Sequence, residues 1–143
     1  MKIEEILRTK GHEVVTITEA QSVLEAARLL VERNIGGLVV TDGRRLRGII
    51  TERDVLRLAA EASADLSSIS VGSVMTRDVV TATPGDQLVE MMDVMTEHRI
   101  RHLPVMEDER LAGIISIGDL VNACRLSAER ENSQLREYIQ GVG

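Results

Sequence analysis

Short β-branched runs and helix-spaced apolar stripes alternate along this chain, and they do so twice. Residues 14–17, Val-Val-Thr-Ile, read as a strand. Ser22-Val-Leu-Glu25 then forms a capping box, and the apolar positions Val23, Ala26, Ala27 and Leu30 follow at i, i+3, i+4 and i+7, the stripe of an amphipathic helix. Two compact strands come next, at 38–40 and 48–50, separated by Asp42-Gly43-Arg44-Arg45, which predicts a hairpin. A second helix closes the unit. In the latter half a strand at 79–83 precedes a stripe of Leu88, Met91, Met92 and Met95, then strands at 103–105 and 113–115 around a turn at 107–110. Pro104 marks a strand end or edge where no ladder donor is needed.

The two halves are copies. A shift of 65 places aligns residues 14–59 with 79–124 without a gap, and 15 of the 46 positions are identical. The matches include Ile35/Ile100, Leu38/Leu103, Gly48/Gly113, Ile49/Ile114, Ile50/Ile115 and Asp54/Asp119. The expected fold is therefore α/β, two tandem β-α-β-β-α repeats sharing one core. Expected boundaries are 1–70 for the first repeat with an N-terminal helix and linker, 71–125 for the second, and 126–143 for a C-terminal tail, helical over 128–138.

Composition narrows the function. The 143 residues are 43% hydrophobic and 28% charged, the balance of a globular chain, and no apolar run reaches membrane-spanning length. A net charge of −6 opposes an extended nucleic-acid surface. With one Tyr and no Phe or Trp, a planar ligand must be held by aliphatic side chains and backbone. Cys124 is the only cysteine and the N-terminus lacks a signal-peptide layout, so a reducing, cytoplasmic location is expected. His12, His98, His102 and Cys124 show no zinc-type spacing, and no metal is expected. Neither a nucleophile elbow nor a Walker-type loop is present, and the Met residues at 91, 92 and 95 read as core filler, so no enzyme activity is expected.

The segments Gly-Ile-Ile-Thr-Glu-Arg-Asp (48–54) and Gly-Ile-Ile-Ser-Ile-Gly-Asp (113–119), with Val-Met-Thr-Arg-Asp-Val-Val-Thr-Ala-Thr-Pro (74–84) and Arg-His-Leu-Pro-Val (101–105), resemble CBS domains. The resemblance covers all but the helix near residues 3–8 and the tail from about 126, and is to small stand-alone bacterial-type tandem pairs. It implies a pseudo-twofold module with two clefts that hold AMP, ADP, ATP, NAD(H) or S-adenosylmethionine, acting in energy sensing and signal transduction. It also implies a homodimer and an unidentified regulated partner. The alternative is a structural dimerisation or adaptor module with unoccupied clefts.

Thr51-Glu-Arg-Asp54 and Ser116-Ile-Gly-Asp119 have two compatible readings. A hydroxyl followed three residues later by a carboxylate is a helix N-cap in its own right. The same carboxylate can accept both hydroxyls of a ribose while the hydroxyl and helix N-terminus face a phosphate. Arg101 and His102 match the family position that directs cations at phosphates, whereas His98 and Arg99 are accounted for by a helix C-terminus. Where the second copy has Arg101-His102, the first has Gly36-Gly37, so the clefts should differ. The resemblance gives one cleft Ile49, Thr51, Arg53 and Asp54 with Thr81, Ile100, Arg101 and His102. It gives the other Ile114, Ser116 and Asp119 with Thr16, Ile35, Gly36 and Gly37.

Overall fold

The elements follow the order that the periodicities predict, and the computed structural model describes residues 1–61, 65–137 and 139. A first helix, α1 (Ile3–Lys10), precedes β1 (Thr16–Ile17), α2 (Val23–Arg33), β2 (Gly37–Thr41), β3 (Leu46–Thr51) and α3 (Glu52–Glu61). After a 3-10 turn, Leu66–Ser68, come α4 (Val71–Val74), α5 (Leu88–His98), β4 (His102–Glu107), β5 (Arg110–Ser116) and α6 (Ile117–Glu137). The expected tail helix is the continuation of α6; Tyr138, its expected last residue, and 62–64 of the linker lie outside the described residues.

Local chemistry accounts for the boundaries. Ser22 Oγ accepts the Glu25 amide at 3.1 Å while the Glu25 carboxylate accepts the Ser22 amide at 3.4 Å, the reciprocal cap that starts α2. Asn34 and Arg99, at φ 52° and 54°, end α2 and α5 in the left-handed region. Asp42 Oδ1 accepts the amides of Arg44 and Arg45 and so shapes the first hairpin turn. In the second hairpin Asp108 and Glu109 both adopt positive φ, the twist that a two-residue connection requires.

β2 pairs antiparallel with β3 and parallel with β1, whereas the second sheet contains only β4 and β5. The strand expected at 79–83 shrinks to one bridge, Ala82 to Val105. Pro104 explains the difference. Met106 donates its amide to Ala82 O at 2.8 Å, and the residue two before it on β4 presents the same edge but has no N–H to extend the ladder.

In place of the one shared core expected, the buried residues form two clusters, and these do not follow chain order. Ile17, Val23, Leu30, Leu38, Val40 and Ile50 bury together with Val71 and Met75, which come from the segment before the second repeat. Leu103, Val105, Ile115 and Leu120 bury with Ile3, Ile6 and Leu7 of α1, from the segment before the first. The backbone bonds have the same symmetry. Ile3 and Glu4 donate to Asp86 O and Pro84 O, just as Val71 and Gly72 donate to Gln21 O and Glu19 O. Each half is thus completed by the segment that leads into the other.

Gly48 and Gly113 show why this exchange needs glycine at one position. A Cβ on Gly48 would stand 2.7 Å from Met75 Sδ, and one on Gly113 would stand 2.7 Å from Leu7 Cδ2. The missing side chains are the slots that Met75 and Leu7 fill.

Candidate functional site

Both Thr51-to-Asp54 and Ser116-to-Asp119 form the cap. Asp54 Oδ2 accepts the Thr51 amide at 2.9 Å and its hydroxyl at 3.1 Å, and Asp119 Oδ2 accepts the Ser116 amide at 2.8 Å. The hydroxyl oxygens in turn accept the Asp54 and Asp119 amides at 3.4 and 3.2 Å. In each case one carboxylate oxygen is committed to the helix start, and Oδ1 remains an acceptor without a bond among the described residues.

The halves meet at a cleft of about 260 Å³ on the Asp54 side. Ile49, Thr51, Arg53 and Asp54 line it from β3 and α3, and Ile100 and Arg101, just before β4, line it with His102, the first residue of that strand. The cleft's back is closed where Ile49 and Thr76 exchange backbone bonds at 3.0 and 2.9 Å. Arg57, one turn beyond Arg53 on α3, and Arg99 also line it, as do Glu52, Asp78, Val79 and Val80. Arg57 shares the helix face of Arg53 and Asp54 by its i+4 and i+3 spacing, which is a signal the sequence carried. Arg99 was assigned to the helix end alone.

Charge in this cleft runs against the protein as a whole. The chain carries −6, yet four arginines face three carboxylates here. All four, Arg53, Arg57, Arg99 and Arg101, are exposed and none has an ion pair among the described residues. His102 is kept below its ordinary pKa of 6.5, first by burial, with Glu52 opposing and Lys10 assisting. It is therefore neutral near pH 7.

Three expected placements change. Thr81 is exposed and does not line the cleft, because Ala82 beside it points into the core and alternation along an extended segment sends Thr81 outward. Val80 lines the cleft in its place. Thr16 is exposed for the same reason, next to the buried Ile17. Gly36 belongs with Asp54, not Asp119: its carbonyl accepts the Glu52 amide at 3.0 Å, which ties it to the first residue of α3. A side chain at 36 would begin 3.1 Å from His102 Nε2, and one at 37 would begin 3.1 Å from His102 Cγ, so the imidazole rests against both glycines.

The Asp119 side is different. Lys10 Nζ donates to Asp119 Oδ2 and to Ile114 O, both at 2.6 Å. Burial raises the Asp119 pKa, but the Lys10 bond and the Ser116 amide outweigh it and hold the carboxyl below the usual carboxylate value. Ile35 packs against the first core, so it belongs to the wall of the first half. Among the described residues no group of three or more His, Cys, Asp or Glu could hold a metal ion, and no helix is long and apolar enough to cross a membrane.

His102 makes stability pH-dependent in a stated direction. Its folded pKa lies below 6.5, so the unfolded chain binds the proton more readily, and the stability it contributes is full above 6.5 and is lost as pH falls below that value. In urea melts from about pH 7.5 down to about 5, His102→Gln should lose less stability than the unaltered chain. Parallel losses would contradict the assignment.

The family model for the CBS domain matches residues 3–61 and again 71–126. The chain is 35% identical over 148 residues to the CBS domain-containing protein CBSX3, mitochondrial, of Arabidopsis thaliana, covering 97% of this chain and 72% of that one. A crystal structure of a CBS-domain-containing protein from Agrobacterium tumefaciens superposes with a TM-score of 0.83 at 42% identity, covering 86% of this chain and 98% of the other. A CBS domain protein from Pyrobaculum aerophilum, solved in complex with AMP, superposes at 0.75 with 26% identity over 83% of this chain and 89% of that one. The duplicated halves, their exchanged leading segments and these matches have one meaning: the chain belongs to the CBS-domain family, as a tandem pair.

Proposed function

We propose that this chain is a non-enzymatic regulatory module that holds an adenine nucleotide, AMP, ADP, ATP or NAD(H), in the cleft at Asp54 and signals its presence to a partner. The observation that carries the reading is the gathering of four arginines without ion pairs among the described residues in one cleft, against three carboxylates of which Asp54 stands at a helix start. Guanidinium groups match phosphate oxygens in geometry and charge, and the carboxylate suits ribose hydroxyls. The aliphatic walls from Ile49, Val80 and Ile100 suit a base in a chain almost without aromatic residues. The AMP complex of the Pyrobaculum relative supports the ligand class. A sulfonium ligand such as S-adenosylmethionine has a net positive charge and no phosphate, and offers the arginines only its single carboxylate.

A thermal-shift panel of AMP, ADP, ATP, NAD, NADH and S-adenosylmethionine tests this. At about 100 times its dissociation constant a ligand adds roughly 2.7 kcal/mol of stability. Phosphorylated adenosines should raise the melting temperature and S-adenosylmethionine should do so least. Unchanged melting across the panel would leave the adaptor reading in possession.

The module is also proposed to act as a cytoplasmic homodimer. Leu56 on α3 and Val121 on α6 occupy the same position in the two repeats and are 71% and 53% exposed, a matched apolar pair on the two closing helices. Sedimentation at the monomer mass of 15.7 kDa, with and without nucleotide, would contradict the dimer.

A further inference from the structure

We infer that Lys10 is a specificity-determining residue that fills the second cleft from within, so that each chain takes one nucleotide and not two. The inference rests on the nucleotide reading and adds to it the number of sites. In the Asp54 cleft the Ile49 carbonyl is satisfied by the Thr76 backbone amide at 2.9 Å. Its repeat mate, the Ile114 carbonyl, takes the Lys10 ammonium at 2.6 Å, and the same ammonium reaches Asp119 Oδ2 at 2.6 Å. Asp119 is the mate of Asp54, so the cation sits on the carboxylate that the symmetry reserves for ribose hydroxyls.

The sequence supplies the reason. Leu7 and Met75 are equivalent, since they fill the slots at Gly113 and Gly48. Seven positions separate Leu7 from Val14, but four separate Met75 from Val79, although Val14 and Val79 are themselves equivalent. The first copy therefore carries three extra residues at this point. Helix α1 runs on to Lys10, where its counterpart α4 stops at Val74. The added turn brings a cation to the Asp119 side, whereas the corresponding stretch after α4 offers Thr76 and Asp78 to an open cleft. The pair is partly buried, with the Lys10 and Asp119 side chains 33% and 24% exposed. Asp119 Oδ1 has no bond among the described residues, but ribose hydroxyls approaching it would meet an ammonium already fixed by charge-assisted bonds to Oδ2 of the same carboxylate and to the Ile114 carbonyl, which neutral donors do not match.

Calorimetric titration with AMP, ADP and ATP of the full chain and of Lys10→Met, which keeps the aliphatic stem, reads the number of sites directly. One site per chain is expected for the unaltered protein and two for Lys10→Met, with Lys10→Met/Asp119→Ala returning to one. Lys10→Gln serves as a second uncharged variant, so that a folding defect peculiar to methionine cannot decide the result. Two sites in the unaltered chain, or one in both Lys10 variants, would overturn the inference while leaving the nucleotide reading intact. Absence of binding to every form would overturn the nucleotide reading and the inference together.

Discussion

Replacing Leu7 by Ala should cost about 2 to 5 kcal/mol of folding stability, the range for removing a fully buried leucine. Leu7 is 1% exposed and packs with Leu103, Ile115 and Leu120, all more than ninety positions away. Its Cδ2 occupies the space left by Gly113, so truncation opens a cavity that rigid strand backbone cannot collapse to fill. Against a typical total stability of about 5 to 15 kcal/mol, that is a large fraction. Val31, 82% exposed on α2, provides the control: Val31→Ala should change stability by no more than about 0.5 kcal/mol. Urea denaturation of the two variants measures both. Equal midpoints would mean that α1 is an appendage and not part of the second core.

The second large effect concerns the Asp54 cleft. Arg101→Ala should weaken AMP binding by about ten- to a hundredfold, because a hydrogen bond from a charged group is worth on the order of 1.5 to 3 kcal/mol, and should affect adenosine much less. Asp54→Ala should weaken AMP and adenosine alike, since ribose is common to both. Asp54 also caps α3 by accepting from Thr51, so loss of its side chain should cost about 1 kcal/mol of stability as well. Asp54→Asn separates the roles, because the amide retains an oxygen for the cap while it loses the carboxylate charge. Calorimetry with both ligands would contradict the assignment if Arg101→Ala bound AMP as the unaltered chain does.

The parts of the fold that local chemistry dictates were legible in the sequence. The repeat, the Ser22 to Glu25 cap, the apolar stripes of α2 and α5 and both hairpins all follow from spacing and turn residues. The parts that depended on partners distant in sequence were not. Nothing in residues 3–10 says that Ile3 and Leu7 pack on the second half, because an amphipathic stripe does not name the surface it covers. Pro104 was read as a strand end or edge; it lies within β4, on the edge facing residues 80–82, and what the sequence did not show is that the missing donor shortens the strand expected there.

The candidate cleft divides in the same way. Ile49, Thr51, Arg53, Asp54, Ile100, Arg101 and His102 line one space as expected. The resemblance supplied that grouping, and alternation could have corrected it at Thr16 and Thr81, whose neighbours Ile17 and Ala82 are the buried ones. The divergence between Gly36-Gly37 and Arg101-His102 was visible as a difference in charge. Its steric side, an imidazole laid against two glycines, needed the third dimension. Lys10 was invisible for a plainer reason: a lysine at the end of a helix is expected to complement the helix dipole, and only its distance to Asp119 shows a second use.

Amide NMR during titration with AMP tests the account most directly, since it reports both whether the nucleotide binds and where. Saturable shifts should concentrate at residues 49–57, 76–80 and 99–102, with residues 114–119 little changed while Lys10 is present. Shifts that centred on 114–119, or a spectrum unchanged at millimolar AMP, would contradict it.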